Sequence, residues 1–212
     1  LTGLQREEEM INNPRYALSL NETYGLDINS AMISDVPGYS WGMVESLAQN
    51  GIKYFSSGPN HMPHLPHGGY QVGHSMETWG DVPFYWASAS GKQKILFWMT
   101  IHGYSWFHDW SIDILSKSDG HAVLNFLHEL DQKKYPYDMV QLRYTVGNDN
   151  GPPDATMPDF IKKWNETYAY PKLRIATTKE MMEEFEKRYA DKLPTYSGDL
   201  TPYWEDGAAS SA

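Results

Sequence analysis

The sequence predicts an α/β domain built on a largely parallel sheet. Three observations predict it. Apolar runs of strand length alternate along the chain with segments of helical period. Gly, Pro, Asn and Asp close those runs, and these are residues that turn a chain. The 212 residues, 41% hydrophobic and 14% aromatic, suffice for one sizeable packed domain or for part of a larger one.

Each element follows in order. Residues 4–24 read as a helix with an acidic first half, "REEEM", interrupted near Pro14 and closed at Gly25. "DINSAMIS" is a short buried strand that ends on Asp35, and "VPGYS" is the turn after it. "WGMVESLAQN" puts Met43, Val44 and Leu47 on one helical face and stops at Asn50-Gly51; "IKYFS" is the next strand. A strand, loop, helix and strand in this order build a parallel pair. Residues 57–83, rich in Gly, Pro and His, lack a period and read as a long excursion. "FYWAS" and "KILFWMT" read as a hairpin.

"HGYSWFHDW" is an aromatic loop, and "DGHAVLNFLHELDQKK" is a helix with Val123, Leu124, Leu127 and Leu130 at helical spacing. "YDMVQLRYT" reads as a strand and "VGNDNGPPDATM" as the loop after it. "PDFIKKWNETY" is a helix with Pro158 near its start. "LRIAT" reads as a strand, and "TKEMMEEFEKRY" as a helix opened by a Thr177/Glu180 capping pattern. The tail from Ala190 has no regular period, and neither an internal repeat nor a domain boundary is visible.

Composition narrows the function. Seventeen basic against 27 acidic residues give a net charge of −10, which argues against partners that are polyanions: nucleic acid and anionic membrane surfaces. No apolar run approaches the length of a membrane span. Cysteine is absent, so thiolate and disulfide chemistry are excluded while the compartment stays open. The Asn-x-Thr sequons at Asn21 and Asn165 are too common by chance to assign secretion. Eight Trp and fifteen Tyr suit a surface that stacks on sugar rings, although an aromatic-rich core is the simpler account.

In α/β domains ligands gather at the carboxyl ends of the strands. Three loops there carry polar chemistry: Asp35 with Tyr39, Ser40 and Trp41; His102, Tyr104, Trp106 and His108; and Asn148 with Asp149, after the segment holding Arg143. Two carboxylates with aromatics on one face are the equipment of glycoside hydrolysis. The structural alternative is a helix-cap or turn role for each Asp, since "GNDNG" is good turn chemistry by itself. His61, His64 and His67 tempt towards a metal site, but the prolines between them forbid a helix-borne pair, and a solvated loop accounts for them.

"SDVPGYSWGMVESLAQNGIKYF" resembles the Asp-Pro-Phe-Gly-His-Ser segment of glycoside hydrolase family 38, the retaining α-mannosidases. "KLRIATTKEMMEEFEKRYADKLPTYSGDL" is similar to the family's stretch ending in Pro-x-x-x-Gly-(Asp/Glu)-Leu/Phe, and the loops "GYSWFHDW" and "VGNDN" follow in the family's order. The resemblance covers most of the chain and is to a divergent bacterial-type branch. It implies an irregular β/α barrel of the seven-stranded type. It implies Asp35 as nucleophile and zinc ligand and Asp149 as general acid/base. Trp41, Tyr104, Trp106 and Asn148 would bind the substrate, an α-mannoside or related glycan.

The sequence also departs from the family pattern. Val36-Pro37 replaces the usual Pro-aromatic pair, and Tyr39 stands where the family has His. The family's His-x-Asp metal motif and last metal-binding histidine have no counterpart, which leaves Asp35 alone of four zinc ligands. The expectation is a fragment of a single catalytic domain, without the first strand and the later helical and β domains, inactive and weak for zinc by itself. Two other readings stay open. One is a metal-dependent polysaccharide deacetylase, whose Asp-Asp and His-x-x-x-His pairs the chain does not display. The other is a non-catalytic carbohydrate-binding homologue.

Overall fold

A computed structural model describes residues 5–36, 38–59, 79–100, 104, 121–143 and 153–200. They fall into two compact units, one within Leu1–Tyr104 and Thr178–Ala212, the other within Ser105–Thr177.

The first unit is a sheet with helices. Its elements are α1 (Glu7–Asn12), α2 (Arg15–Tyr24), β1 (Ser30–Ser34), α3 (Gly42–Gln49), β2 (Tyr54–Gly58), β3 (Phe84–Ala87) and β4 (Lys94–Met99). The helices α4 (His121–Gln132) and α5 (Met157–Thr167) belong to the second unit; then α6 (Thr178–Tyr189), a 3-10 turn (Ala190–Lys192) and β5 (Thr195–Ser197) complete the first. The expected helix over 4–24 is two helices, parted at Asn13-Pro14 because proline cannot continue α1. α2 ends on Gly25, whose φ of 65° lets its N–H return to the Asn21 carbonyl.

The five described strands are ordered β1-β2-β4-β3-β5. β1, β2 and β4 are mutually parallel, β3 is the antiparallel hairpin partner of β4, and β5 runs parallel to β3. The mixed α/β sheet and the hairpin agree with the sequence expectation.

Five consecutive residues of β4, Ile95–Met99, are buried, as a strand covered on both faces requires. On one face Phe55, Phe97 and Phe84 form a cross-strand row against Met43, Val44 and Leu47 of α3. Phe55 and Phe97 stack at 4.7 Å. On the other face Trp98 packs on Phe185 of α6 at 4.6 Å. There the Tyr54 and Tyr85 hydroxyls donate to the two oxygens of Glu186 at 2.7 and 2.6 Å. Burial, and then the bond to Glu186, hold both phenols well above the usual tyrosine range.

In the second unit Val123 packs with Ala122, Leu127, Phe160 and Leu173. Leu124, expected in the core stripe, is 47% exposed, and Phe126 is buried instead.

Two expected strands are not formed. Residues 137–143 carry no strand pairing, and 144–145 lie outside the described residues. Residues 173–177 are irregular because the Asn165 side chain occupies Leu173's backbone: Oδ1 accepts its N–H at 2.9 Å and Nδ2 donates to its carbonyl at 2.7 Å. Conversely β5 forms within the tail expected to lack regular structure, seated beside β3 with Tyr85 N–H bonded to the Pro194 carbonyl at 2.9 Å.

Candidate active site

β1, β2 and β4 point their carboxyl ends the same way, so the residues just beyond Ser34, Gly58 and Met99 share one rim of the sheet. Asp35 is the first residue past β1. Its N–H is donated to the Gly58 carbonyl at 2.9 Å, which extends the β1–β2 pairing by one bond. Its φ is 63°, a left-handed conformation in which aspartate is one of the few tolerated side chains. The chain therefore leaves the strand abruptly while the carboxylate stays at the strand end. Asp35 is half-buried, and its Oδ1 is a buried atom with no hydrogen-bond partner among the described residues. Buried polar atoms are nearly always partnered, so this oxygen keeps an accepting capacity that the described residues leave unused.

The turn after Asp35 is pinned at its far side by Tyr39. Tyr39 exchanges two backbone bonds with Leu200, at 2.8 and 3.1 Å. Its ring is fully buried, edge-on to Phe55 and Phe97 at 5.4 and 5.5 Å, and its hydroxyl bonds Ser57 Oγ. Ser57 and Gly58 are thus a shared anchor, because Thr100 N–H donates to the Ser57 carbonyl at 3.0 Å.

The sequence reading missed Asp81. It has a φ of 61°, is 2% exposed, and donates its N–H to the Met99 carbonyl at 2.8 Å, on the same rim as Asp35. A signal was present: "DVP" occurs at 35–37 and again at 81–83. Asp81 is not a catalytic partner for Asp35. Between them lie β2 and β4, and three interstrand spacings of a flat sheet are roughly 14 Å, against about 5 Å for a retaining pair.

Trp41 is not brought to Asp35. Its indole N–H is donated to the Ala87 carbonyl at 2.7 Å and its backbone N–H to Asp199 Oδ1 at 2.9 Å. Ala87 pairs with Lys94, the first residue of β4, so Trp41 is anchored at the amino end of the parallel strands. From the level of Lys94 to that of Asp35 is about seven residues of strand, roughly 23 Å. Nearness in sequence suggested otherwise; the chain crosses the sheet face between the two residues.

Tyr104 is half-buried, four positions after Thr100. Trp106, Asn148 and Asp149 lie outside the described residues, as do His61, His64, His67, His102 and His108.

A zinc ion needs about four ligands at protein sites. The orphaned Asp35 Oδ1 suits one of them. No group of three or more His, Cys, Asp or Glu that could hold a metal occurs among the described residues. The described donor set therefore does not make up a zinc site.

Residues 5–199 match the family model described as the N-terminal domain of glycosyl hydrolases family 38. Among solved structures the chain is similar to an alpha-mannosidase from Enterococcus faecalis V583, with a TM-score of 0.63 and 14% identity. The similarity covers 92% of this chain and 20% of that one, so this chain spans a small part of that protein's length. At this identity the likeness is one of fold. No curated protein matches the sequence.

Proposed function

The chain belongs to the N-terminal domain family of the family 38 glycosyl hydrolases, and from that premise we propose that it supplies the catalytic carboxylates of a retaining glycosidase acting on α-mannosides or related glycans. The observation that carries the proposal is Asp35. It is a half-buried carboxylate at the carboxyl end of a parallel strand, fixed by a left-handed backbone, with one buried oxygen unpartnered among the described residues. A rigid strand end holds a nucleophile to the narrow geometry its attack requires.

The proposed chemistry is double displacement. The Asp35 carboxylate attacks the anomeric carbon, and the glycosidic bond breaks as the leaving oxygen takes a proton from Asp149. A glycosyl ester on Asp35 results. Asp149, now a carboxylate, takes a proton from water, and that water attacks the same carbon. The sugar leaves with its original anomeric configuration, and both carboxyl groups are restored. Tyr104, Trp106 and Asn148 are proposed to contact the sugar, and the sheet is proposed to be part of an irregular, seven-stranded β/α barrel. Asp35 would be one ligand of the zinc that the family resemblance implies. The steps above run on the two carboxyl groups alone.

The test is hydrolysis of an aryl α-mannoside by the whole protein, with the first-formed anomer read by proton NMR. Release of α-mannose supports double displacement. Release of β-mannose, or no hydrolysis of any aryl glycoside by folded protein, would sink it.

A further inference from the structure

We propose that the buried hydroxyl pair of Tyr39 and Ser57 is a positioning device for Asp35. The inference rests on the reading of Asp35 as nucleophile. The described residues leave Oδ1 of Asp35 without a hydrogen bond, so the hold they exert on it runs through the backbone on either side. On the near side the Asp35 N–H bonds the Gly58 carbonyl at 2.9 Å. On the far side the turn closes on Tyr39, whose backbone is paired with Leu200.

The Tyr39 side chain joins these two anchors. Its hydroxyl crosses the core to Ser57 Oγ, and Ser57 is the residue immediately before Gly58. Asp35 and Tyr39 are thereby linked through β2: Asp35 to Gly58, Gly58 to Ser57, Ser57 to Tyr39. Both Tyr39 and Ser57 are fully buried, so water does not compete for that bond. The Tyr39 ring is edge-on to Phe55 and Phe97, which fixes the direction of its hydroxyl. Thr100 bonds the Ser57 carbonyl through its N–H at 3.0 Å and ties the link to β4.

The physical consequence concerns geometry rather than binding. Loss of the Tyr39–Ser57 bond lets the turn relax, and a displacement of the attacking oxygen by a fraction of an ångström lowers the rate steeply. Substrate contacts made elsewhere are unaffected. The signature is a fall in kcat at nearly constant KM.

The experiment uses four forms of the whole protein: wild type, Tyr39→Phe, Asp35→Ala, and Asp35→Ala with Tyr39→Phe. Each is assayed on an activated aryl α-mannoside, with and without azide, which replaces a missing carboxylate nucleophile. We expect Tyr39→Phe to lower kcat roughly 10-fold or more with KM within about twofold. We expect Asp35→Ala to be inactive until azide restores turnover as a β-mannosyl azide. In that azide-rescued background Tyr39→Phe should cost less than about twofold, because no Asp35 carboxylate remains to be positioned. In two further forms, Ser57→Ala should copy Tyr39→Phe, and Tyr39→Phe combined with Ser57→Ala should be no worse than either alone.

An equal loss with and without Asp35 overturns the positioning role and leaves Tyr39 a packing residue. An unchanged kcat in Tyr39→Phe does the same. Failure of azide to rescue a folded Asp35→Ala protein, judged by its circular dichroism, overturns the nucleophile reading itself and the positioning role with it.

Discussion

Asp35 and Asp81 share a left-handed backbone, φ 63° and 61°, each opens the sequence Asp-Val-Pro, and each donates its amide N–H to the carbonyl of the last residue of a sheet strand, Gly58 at 2.9 Å and Met99 at 2.8 Å. The same backbone bond thus extends the rim of the sheet at two places. The two copies differ in exposure: Asp35 is half-open, whereas Asp81 is sealed at 2%. Under the proposed function that difference separates a nucleophile from a folding residue, and it yields opposite expectations for their substitution.

At Asp35 the backbone tolerates Asn and Gly but penalises other side chains by about 1–2 kcal/mol. Asp35→Asn should therefore keep its stability in urea denaturation, while aryl mannoside hydrolysis falls by about 10³-fold or more. Asp35→Ala should lose the same activity and also about 1 kcal/mol of stability. A stable, fully active Asp35→Asn protein would remove Asp35 from the chemistry.

At Asp81 the penalty should appear in stability alone. Asp81→Ala keeps the left-handed strain and removes a buried polar side chain, so a loss of about 1–3 kcal/mol is expected in chemical denaturation. The kcat of the folded fraction should stay within about twofold of wild type. A selective loss of kcat in a stable Asp81 variant would show that the second turn reaches the reaction after all.

The Tyr54–Glu186–Tyr85 bridge between the sheet and α6 gives a pH dependence of known sign. Both phenols are raised above their ordinary value near 10 by burial and by the Glu186 carboxylate. The native state therefore holds protons that the unfolded chain gives up. The stabilisation is complete below about pH 10 and is lost as pH rises from there through the higher native values. Thermal melts between pH 8 and 12 should fall steeply above about pH 10 in wild type and less steeply in Tyr54→Phe and Tyr85→Phe. Parallel curves would show that neither phenol is linked to folding.

Asn21 and Asn165 share a role that their sequon pattern hides. Each lies near the end of a helix, in the same "NETY" tetrapeptide, and each clamps a later backbone amide with both side-chain atoms: Asn21 on Ile28 at 3.0 and 2.8 Å, Asn165 on Leu173 at 2.7 and 2.9 Å. Replacement by Ala deletes two part-buried hydrogen bonds, and a loss of about 1–3 kcal/mol is expected for each by denaturant titration. A change below about 0.5 kcal/mol would mean that water replaces the clamp without cost.

The parallel core was legible because its strands are apolar runs bounded by turn residues. β5 was not, since Thr195-Tyr196-Ser197 has no apolar period and is defined only by its pairing with β3. The segment 173–177 looked like a strand, but the Asn165 amide took the backbone bonds of Leu173 that a neighbouring strand would need. Asp35 stood out because a turn follows a short apolar run directly. Asp81 has the same tripeptide but sits at the end of a long aperiodic stretch, where its neighbours gave no frame. Trp41 was misplaced because sequence distance says nothing about a chain that crosses a sheet face in six residues.

The most direct test of the account is to trap the glycosyl-enzyme. The whole protein is incubated with a fluorinated α-mannosyl fluoride, whose ester turns over slowly, then digested and sequenced by mass spectrometry. The account predicts one added fluoro-sugar per chain, on the peptide containing Ser34-Asp35-Val36, at the Asp35 carboxylate. A label on any other residue, or time-dependent inactivation that leaves Asp35 unmodified, would contradict it.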